Sequence, residues 1–421
     1  MSIMSNPPAE VCPPKGFPID SPDDLGAIGG RGFSLFTSGF GMPIAAIIEP
    51  IARRNSRTMA DYCARHGLEL APHGKTTMSP ELFEIQLEDG AWGITAATVW
   101  QARTMIALGV PRVLIANQVT SVPDIRELAD LIKQGAQVIC YVDSLEGVDL
   151  LDHTLRDEMV RERLGVLIEY GVAGERTGVR SAAEGVEVAT AARDAAHLAV
   201  VGTSCFEGVI TARDGRSAHD LVKEFLAEFH QMTVAIDEAG LFGGDETIVT
   251  AGGSAYFDHV AAEFAKVELS KPVRKILRSG NYLTHADGGY ATSSPMGDNP
   301  RVDEVEGRLE AAMEVWGVVL SRPEPTRALV SIGKRDVSPD NSAPVLRSAR
   351  KPDGTPVATT ATPLKMNDQH LYLDLEPDDP LAIGDYVAVG VRHGCTTFDK
   401  WRVIPMVDEN YKVLRVARTY F

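Results

Sequence analysis

The sequence predicts a (β/α)8 barrel followed by an antiparallel β domain, because its hydrophobic pattern changes once along the chain. Between residues about 44 and 300, short apolar runs rich in β-branched residues alternate with longer amphipathic stretches. Strand alternating with helix is typical of parallel βαβ units. About eight such units in about 255 residues match a barrel better than an open sheet, and no GxGxxG opens a helix after the first strand, as a dinucleotide-binding fold would require.

The barrel is predicted over residues 44–305, and the run IAAII (44–48) stands first among its strands. Helical patterns such as EPIARRNSRTMADYCARHG (49–67) lie between the runs. The later runs are LELAP (68–72), WGITAAT (92–98), RVLIAN (112–117), QVICYVD (137–143), GVLIEYG (165–171), LAVVGTSC (198–205), ETIVTAGG (246–253) and KILRSG (275–280).

After about residue 305 the pattern changes to apolar runs separated by turns such as PDG and DENY, with no helices between them, which is typical of antiparallel strands. A β domain is therefore predicted over residues 306–421. We treat the Pro-rich residues 1–43 as an N-terminal arm, and leave open whether the arm lends a strand to that domain. The runs of the β domain are AAMEVWGVVLSRP, RALVSIG, HLYLDLE, DYVAVGVRHGC, RVIPMV and YKVLRVARTYF.

Composition and charge exclude several classes of function. The net charge of −17 argues against binding to nucleic acid or to an anionic membrane, and favours a small-molecule partner. The N-terminus lacks the basic start and apolar run of a signal peptide, and no window approaches 18 consecutive apolar residues. The five cysteines are scattered without CxxC spacing, which disfavours a disulfide framework. These features predict a cytoplasmic protein with reduced thiols.

Two segments could hold a cofactor. Lys75, in LAPHGKTTMSP, follows an early predicted strand, at the end where barrel enzymes build active sites. It is either a Schiff-base nucleophile in the barrel mouth or a solvated loop lysine. Gly252, Gly253 and Ser254, in TAGGSAY, follow a late strand and form either a phosphate cradle or an ordinary turn. A lysine and a phosphate loop that meet around a barrel favour pyridoxal phosphate.

Three further residues are candidates for a site. Arg176, in EYGVAGERTGV, lies just beyond a strand end and either donates to a cofactor oxygen or forms a surface ion pair. His393 and Cys395, in HGCTTFDKW, are two positions apart, so on an extended strand both would face one side and could bind one metal ion. Imidazole and thiolate are ligands that zinc prefers, and two protein ligands leave positions open for substrate. The alternative is a strand-end histidine beside a small buried thiol.

These motifs, together with RSGNY (278–282) and NDQH (367–370), resemble those of the fold-type III pyridoxal-phosphate enzymes of the D-serine dehydratase and D-threonine aldolase group, most closely the bacterial amino acid deaminases. The resemblance runs from about residue 40 to the C-terminus. It implies an alanine-racemase-type barrel, a β domain, and a homodimer in which the partner's β domain helps to cover the active site.

The resemblance also implies roles for individual residues. Lys75 would form the Schiff base with the cofactor, and Arg176 would lie near its phenolic oxygen. Two positions depart from the family pattern: Thr77 stands where a histidine is usual, and Gly171 where an acidic residue is usual. The remaining implied roles are the phosphate loop for Gly252, Gly253 and Ser254, the pyridine nitrogen for Arg278, the pocket wall for Tyr282, and the metal for His393 and Cys395.

The function that follows from the resemblance is a dehydratase that converts a D-3-hydroxy amino acid, such as D-serine or D-threonine, into a 2-oxo acid and ammonia. The metal would be zinc, because aldolases of the group tend to carry aspartate in place of Cys395, which suits the harder Mn²⁺ or Mg²⁺. A D-threonine-type aldolase is the alternative. A non-catalytic pyridoxal-phosphate carrier and a racemase, which would need a second base, also stay open.

Overall fold

The computed structural model of the protein describes residues 14–18, 25–340 and 342–421, and contains an eight-stranded parallel sheet and a ten-stranded, mostly antiparallel sheet. The strands are β1 (Ile44–Ile48), β2 (Glu69–Leu70), β3 (Ile94–Ala96), β4 (Arg112–Gln118), β5 (Gln137–Val142), β6 (Leu164–Tyr170), β7 (Leu198–Cys205), β8 (Thr247–Ala251), β9 (Val273–Leu277), β10 (Met313–Glu324), β11 (Arg327–Val330), β12 (Val345–Arg350), β13 (Pro356–Val357), β14 (Thr362–Met366), β15 (Leu371–Asp374), β16 (Tyr386–Gly390), β17 (Val403–Val407) and β18 (Val413–Arg418). The helices are α1 (Glu49–Arg65), α2 (Pro80–Glu88), α3 (Val99–Ala107), α4 (Val122–Lys133), α5 (Leu145–Asp157), α6 (Ala182–Asp194), α7 (Ala218–Glu238), α8 (Phe257–Phe264), α9 (Gly289–Ser293) and α10 (Cys395–Phe398), with 3-10 turns at Leu25–Arg31, Gly74–Thr76 and Glu304–Glu306.

The parallel sheet has the order β2-β9-β8-β7-β6-β5-β4-β3 and closes on itself. Its end strands meet at a bridge between His73 and Thr95, and Trp92 N donates to Leu70 O over 2.7 Å. The predicted (β/α)8 barrel is therefore confirmed, and like other barrels of this class it has a packed interior. The interior cluster consists of Ala71, Leu114, Tyr141, Leu167, Ile248 and Ile276.

Short polar side chains begin several of the barrel helices. Thr98, Ser144, Ser181 and Ser217 each accept a hydrogen bond from the backbone N–H three residues later. Such caps satisfy N–H groups that the first helical turn leaves unpaired. Proline in the first turn starts α1, α2 and α4, where its missing N–H has no helical partner to lose. Strand ends and helix starts therefore meet in short loops on one face of the barrel.

The strand β1 belongs to the ten-stranded sheet, so its assignment to the barrel is wrong. Ile44 pairs with Trp316 of β10, and Ile47 pairs with Met406 of β17. All five residues of β1 are buried. A continuous apolar run of this length fits the interior of either sheet, so hydrophobicity alone does not tell which sheet the run enters. The chain thus contributes one strand to the β domain before it enters the barrel.

The described part of the N-terminal arm packs against the β domain. Phe33 O accepts a hydrogen bond from Val413 N at 2.8 Å, and Leu35 N donates to Tyr411 O over 2.9 Å. The described residues of the arm contain no named strand, and the strand that the β domain receives from this part of the chain is β1, directly after the arm. Residues 1–13 and 19–24 of the arm, including Cys12, lie outside the described part of the chain.

The ten-stranded sheet has the order β13-β12-β16-β10-β1-β17-β18, and β11, β15 and β14 continue it from β10. The predicted runs correspond to β10, β11, β15, β16, β17 and β18. The sequence does not predict β12, β13 and β14, because their residues are mostly part-exposed and lack a clear apolar alternation. The short helix α10 also interrupts a segment that was predicted to hold strands alone.

Asp379 holds the loop between β15 and β16. Its carboxylate accepts hydrogen bonds from Leu381 N and Thr360 N, both at 2.9 Å, and from Thr359 Oγ1. Burial acts to raise the pKa of the Asp379 carboxyl, but these hydrogen bonds outweigh burial and lower the pKa. The charged carboxylate therefore stabilises the folded state above its unfolded pKa of about 4, and this contribution is lost as the pH falls through the folded-state pKa.

Replacing Asp379 with alanine is expected to lower the free energy of unfolding by about 1–3 kcal/mol at neutral pH, because buried N–H groups lose their acceptor. The difference from the wild type should narrow as the pH falls through the lowered pKa of Asp379. Urea denaturation at neutral and acidic pH measures both effects. Asp378→Ala, at the exposed neighbouring carboxylate, is the control, and a difference that did not change with pH would contradict the assignment.

Candidate active site

Lys75 lies in the 3-10 turn Gly74–Thr76, directly after the strand β2. This is the carboxyl end of the barrel strands, the face on which barrel enzymes carry their active sites. Gly74 permits the close packing of the turn, because a Cβ there would lie 2.5 Å from Ile94 Cγ2 and 2.9 Å from Phe83 Cε1. The backbone that presents Lys75 is therefore fixed by the core beneath it.

His73 is buried two residues before Lys75. Burial, followed by the charges of Lys75 and Arg278, lowers the pKa of His73 well below its usual range. The imidazole is therefore neutral at pH 7. Lys75 and Arg278 follow β2 and β9, which are adjacent strands, so both residues lie on the same side of the barrel mouth.

Arg278 is held inside the barrel by two neighbouring strands. Its Nη1 donates to Thr250 Oγ1 over 2.7 Å, and its Nη2 donates to Cys205 O over 2.6 Å. The guanidinium also lies 5.8 Å from the centre of the Tyr141 ring. The residue is buried, so a fixed positive charge faces the interior of the barrel at the depth of the strand ends.

The glycine turn after β8 presents its backbone N–H groups to an anion. Gly253 N donates to Glu207 Oε1 over 2.8 Å, and Gly252 N donates to Glu207 Oε2 over 3.2 Å. Gly252 has φ +97°, a conformation that favours glycine. Ser279 Oγ donates to Gly253 O over 2.7 Å, which ties the turn to the segment after β9. The N–H groups of Gly252 and Gly253, which were predicted to bind phosphate, therefore bind a carboxylate of the chain itself, and Ser254 follows directly after them.

Arg176 is exposed on the loop after β6. Its guanidinium lies 5.0 Å from the centre of the Phe206 ring. Arg180 stiffens this loop from within, donating to Gly178 O over 2.6 Å and to Thr177 O over 3.1 Å. The charge of Arg176 adds to the lowering of the pKa of His73, and the loop that carries Arg176 begins at the same end of the barrel strands as the turn that carries Lys75.

His393 and Cys395 lie between the end of β16 and the start of α10, so the extended strand expected for them is wrong. The backbone of Gly394, between them, is helical. The two side chains nevertheless interact, because Cys395 is the largest cause of the raised pKa of His393. A local turn, rather than strand alternation, brings the candidate metal ligands together.

Neighbouring side chains orient the pair. His393 Nδ1 lies 2.8 Å from Asp340 Oδ2, and Cys395 Sγ lies 3.1 Å from Thr76 Oγ1. Because Thr76 directly follows Lys75, the candidate metal ligands and the candidate Schiff-base lysine lie at one site. The sequence offered no signal for Asp340 or Thr76, since both partnerships join segments more than 50 residues apart.

The pKa values of Cys395 and His393 are shifted in opposite directions, towards a thiolate paired with an imidazolium. Burial acts to raise the pKa of the Cys395 thiol, but hydrogen bonds with His393 and Thr76 outweigh burial and lower the pKa. The hydrogen bond with Cys395, and that with Asp340, raise the pKa of His393 to about 8 against the opposing effect of burial. Zinc binds thiolate and neutral imidazole, so a metal ion would replace the proton that the raised pKa keeps on His393 at pH 7.

Tyr282 does not line the site, so its predicted role as a cofactor contact is wrong. Its hydroxyl accepts a hydrogen bond from Gln86 Nε2 at 3.1 Å, and its ring lines a cavity outside the barrel with Ser56 and Cys63. Consecutive residues after β9 point in opposite directions, and Asn281, its neighbour, faces the site instead. The sequence motif marked the correct segment and the wrong residue.

The residues present fit both implied groups. For pyridoxal phosphate, the barrel mouth holds a lysine, two arginines, and the buried Thr77 hydroxyl, which has no hydrogen-bond partner among the described residues. Glu207 already binds two N–H groups of the glycine turn, so a phosphate would use donors from Ser254 onward. For a metal, His393 and Cys395 supply two donors, and the described chain contains no group of three or more His, Cys, Asp or Glu residues arranged to hold an ion.

Comparisons with known proteins agree with this geometry. Residues 312–407 match the model of the family described as a putative serine dehydratase domain. The 3-hydroxy-D-aspartate aldolase of Paracoccus denitrificans (strain Pd 1222) is 28% identical over 295 residues, which cover 69% of this chain and 71% of that protein.

Solved structures share the fold over nearly the whole chain. D-threonine aldolase from Filomicrobium marinum superposes with a TM-score of 0.77 at 22% identity, covering 92% of this chain and 97% of that one. D-threo-3-hydroxyaspartate dehydratase from Delftia sp. HT23 has a TM-score of 0.72 at 18% identity, covering 92% and 99%, and a variant of the dehydratase of that name has been solved in a metal-free form.

The barrel is of the alanine-racemase type, since an alanine-racemase-like protein from Idiomarina loihiensis superposes with a TM-score of 0.69 at 16% identity, covering 90% of this chain and 96% of that one. The resemblance expected from the motifs is confirmed, because residues 312–407 match the serine dehydratase domain and the chain is similar to proteins named 3-hydroxy-D-aspartate aldolase and D-threonine aldolase. Within the described residues, no helix is long and apolar enough to cross a membrane.

Proposed function

We propose that the protein is a metal-dependent dehydratase that converts a D-3-hydroxy amino acid, such as D-serine or D-threonine, into a 2-oxo acid and ammonia. The observation that carries this proposal is the contact between Thr76 Oγ1 and Cys395 Sγ at 3.1 Å. It joins the lysine segment of the barrel to the candidate metal pair of the β domain. A proton acceptor and a Lewis acid at one site are what the removal of water across Cα and Cβ requires.

The residues of the barrel mouth would have different roles towards the cofactor and the substrate. When bound, pyridoxal phosphate supplies an electron sink that acidifies the Cα proton of an amino acid. Lys75 would hold the cofactor, and its free amine would take the Cα proton. Arg176 and the donors after Gly253 would orient the cofactor, and Arg278 keeps a fixed charge beneath it. The neutral His73 packs beside Lys75 without adding a charge of its own.

The metal pair would act on the β-hydroxyl, which is a poor leaving group. His393 and Cys395 would hold a divalent cation, whose Lewis acidity stabilises the negative charge that develops on the departing oxygen. Asp340 fixes the orientation of the His393 ring by its contact with Nδ1. We propose zinc, since a thiolate is a soft ligand, with Mn²⁺ or Mg²⁺ as the alternatives.

A D-threonine-type aldolase is the second candidate. The 28% identity with 3-hydroxy-D-aspartate aldolase favours it, since that alignment includes most of the chain. In an aldolase, the same metal would orient the hydroxyl while the bond between Cα and Cβ breaks. Cys395 favours the dehydratase, because the family resemblance associates cysteine with dehydratases and aspartate with aldolases at this position.

Incubation with D-threonine separates the two candidates. The dehydratase is expected to release 2-oxobutyrate and ammonia, because water is lost and the resulting enamine hydrolyses. Chromatography of the keto acid and an enzymatic ammonia assay measure these products. Formation of glycine and acetaldehyde in place of 2-oxobutyrate would contradict the dehydratase and support the aldolase. The Lys75→Ala variant is the matched control for background reaction.

We also propose that the chain acts as a homodimer, as the family resemblance implies. Two observations support this. Arg176 is exposed although it reaches towards the site, and Trp100, in the first turn of α3 on the same face of the barrel, is 40% exposed. A second copy whose β domain covered this face would bury both side chains.

A further inference from the structure

Asn281 lies between the lysine segment and the metal pair, and its side chain has no partner. We propose that Asn281 is a substrate-positioning residue that hydrogen-bonds the β-hydroxyl of the D-3-hydroxy amino acid. This proposal rests on the proposed function, and it names the substrate group that the site recognises. Asn281 lies in the RSGNY motif, but Arg278 and Tyr282 are the residues of that motif to which the sequence analysis gives a role.

The position of Asn281 follows from its two neighbours in the chain. Tyr282 points outward and hydrogen-bonds to Gln86 on α2. On the other side, Gly280 packs directly on His73, since a Cβ at Gly280 would lie 2.7 Å from both His73 Cβ and His73 O. The side chain of Asn281 is thereby turned into the barrel mouth, beside the segment that carries Lys75.

The amide also touches the metal segment. A Cβ on Gly394 would lie 3.1 Å from Asn281 Oδ1, 3.8 Å from Thr284 Oγ1 and 3.8 Å from Thr76 Cγ2. Gly394 stands between the two candidate metal ligands in the chain. The Asn281 amide is therefore flanked by the Lys75 segment on one side and by the residue between His393 and Cys395 on the other.

The amide is buried and unsatisfied. Asn281 is 6% exposed, and neither its Nδ2 nor its Oδ1 has a hydrogen-bond partner among the described residues. Buried polar groups are nearly always hydrogen-bonded, because an unmade bond leaves the full desolvation penalty in place. The Nδ2 and Oδ1 atoms of Asn281 are thus available to form hydrogen bonds with a ligand that enters the site.

The chemistry of an amide selects the group. A hydroxyl both donates and accepts, so it can pair with the oxygen or the nitrogen of the Asn281 amide. A substrate whose Cα proton faces Lys75 places its β-hydroxyl one carbon further on, towards His393 and Cys395, and Asn281 lies along that path. The substrate carboxylate, being negatively charged, is better matched by the cations of the barrel mouth.

The test compares substrates with and without the hydroxyl. In the Asn281→Ala variant, kcat/KM for D-serine is expected to fall about 10- to 100-fold, the size of one lost hydrogen bond to substrate. β-Chloro-D-alanine loses HCl in place of water, and its product also hydrolyses to pyruvate and ammonia. The kcat/KM for this substrate should change less than about threefold. The inhibition constant of D-alanine, which has no leaving group or hydroxyl, should likewise be unchanged.

The matched control is Tyr282→Phe, which alters the same segment on its outward side and should leave the ratio between D-serine and β-chloro-D-alanine as in the wild type. Cofactor absorbance and zinc content of Asn281→Ala are measured in parallel and should equal those of the wild type. The role of Asn281 would be overturned if kcat/KM fell equally for D-serine and β-chloro-D-alanine, or if it did not fall at all. Weaker inhibition by D-alanine in the variant would also overturn it. A wild-type protein that forms no pyruvate from D-serine would instead overturn the proposed dehydratase, so the two failures are distinguishable.

Discussion

Replacing Lys75 with alanine is expected to abolish the visible absorbance of protein-bound pyridoxal phosphate and to lower turnover of D-serine by about 10³-fold or more. The reason is that one amine performs two tasks, as the covalent holder of the cofactor and as the acceptor of the Cα proton. The geometry supports both, because Lys75 leaves a turn packed on the barrel core and acts electrostatically on Cys395. Absorbance spectra after addition of cofactor and an assay for pyruvate measure the two effects.

Two control variants sharpen this experiment. Lys75→Arg keeps the positive charge without an amine that can form a Schiff base, and should resemble Lys75→Ala in both measurements. Lys266→Ala changes a lysine two residues after the outer helix α8, whose side chain is 65% exposed, and should behave as the wild type. Retention of the visible band in Lys75→Ala would refute the Schiff-base assignment, whatever the residual activity.

Replacing Cys395 with alanine is expected to remove the bound metal and to lower elimination from D-serine by about 10²-fold or more, while the cofactor absorbance remains. The thiolate is one of two protein donors, and Thr76 Oγ1 holds it 3.1 Å away, beside the lysine segment. Its loss leaves His393 as a single donor, which is too few for a stable site. Metal analysis of the purified protein and a pyruvate assay provide the readouts.

Cys63→Ala is the matched control, since Cys63 is a buried thiol on α1 away from the site, and its metal content should equal that of the wild type. Cys395→Asp should retain a metal but prefer Mn²⁺ to Zn²⁺, because a carboxylate is a harder ligand. Elimination that continued unchanged in Cys395→Ala, or after chelation of the wild type, would mean that the metal is structural or that none is bound.

Residues next to a recognisable strand end were predicted well from the sequence. Lys75 and the turn at Gly252 and Gly253 each follow a buried apolar run, so their position at the barrel mouth follows from the parallel arrangement of the strands. His393 and Cys395 were paired for an incorrect reason, since a helical turn at Gly394 rather than an extended strand brings them together. Residue type alone predicts a zinc-binding pair, and this assignment stays a prediction.

Two other features could not be predicted, because the deciding contacts are distant in the chain. The buried run β1 suits either sheet by its hydrophobicity, and its pairing with β10 and β17 places it in the β domain. In the RSGNY segment, the sequence does not tell which side of the backbone faces the barrel mouth. The packing of Gly280 on His73 decides this, turning Asn281 inward and Tyr282 outward.

The sequence by itself determined the barrel, the β domain that follows it, and the types of residue available for chemistry, because local periodicity and residue type carry that information. Only the tertiary structure decided which of these residues meet. The contact of Thr76 with Cys395 spans 319 residues, and that of Asp340 with His393 spans 53. Such contacts form when two separately folded sheets pack against each other, and no local pattern in the chain records where their surfaces touch.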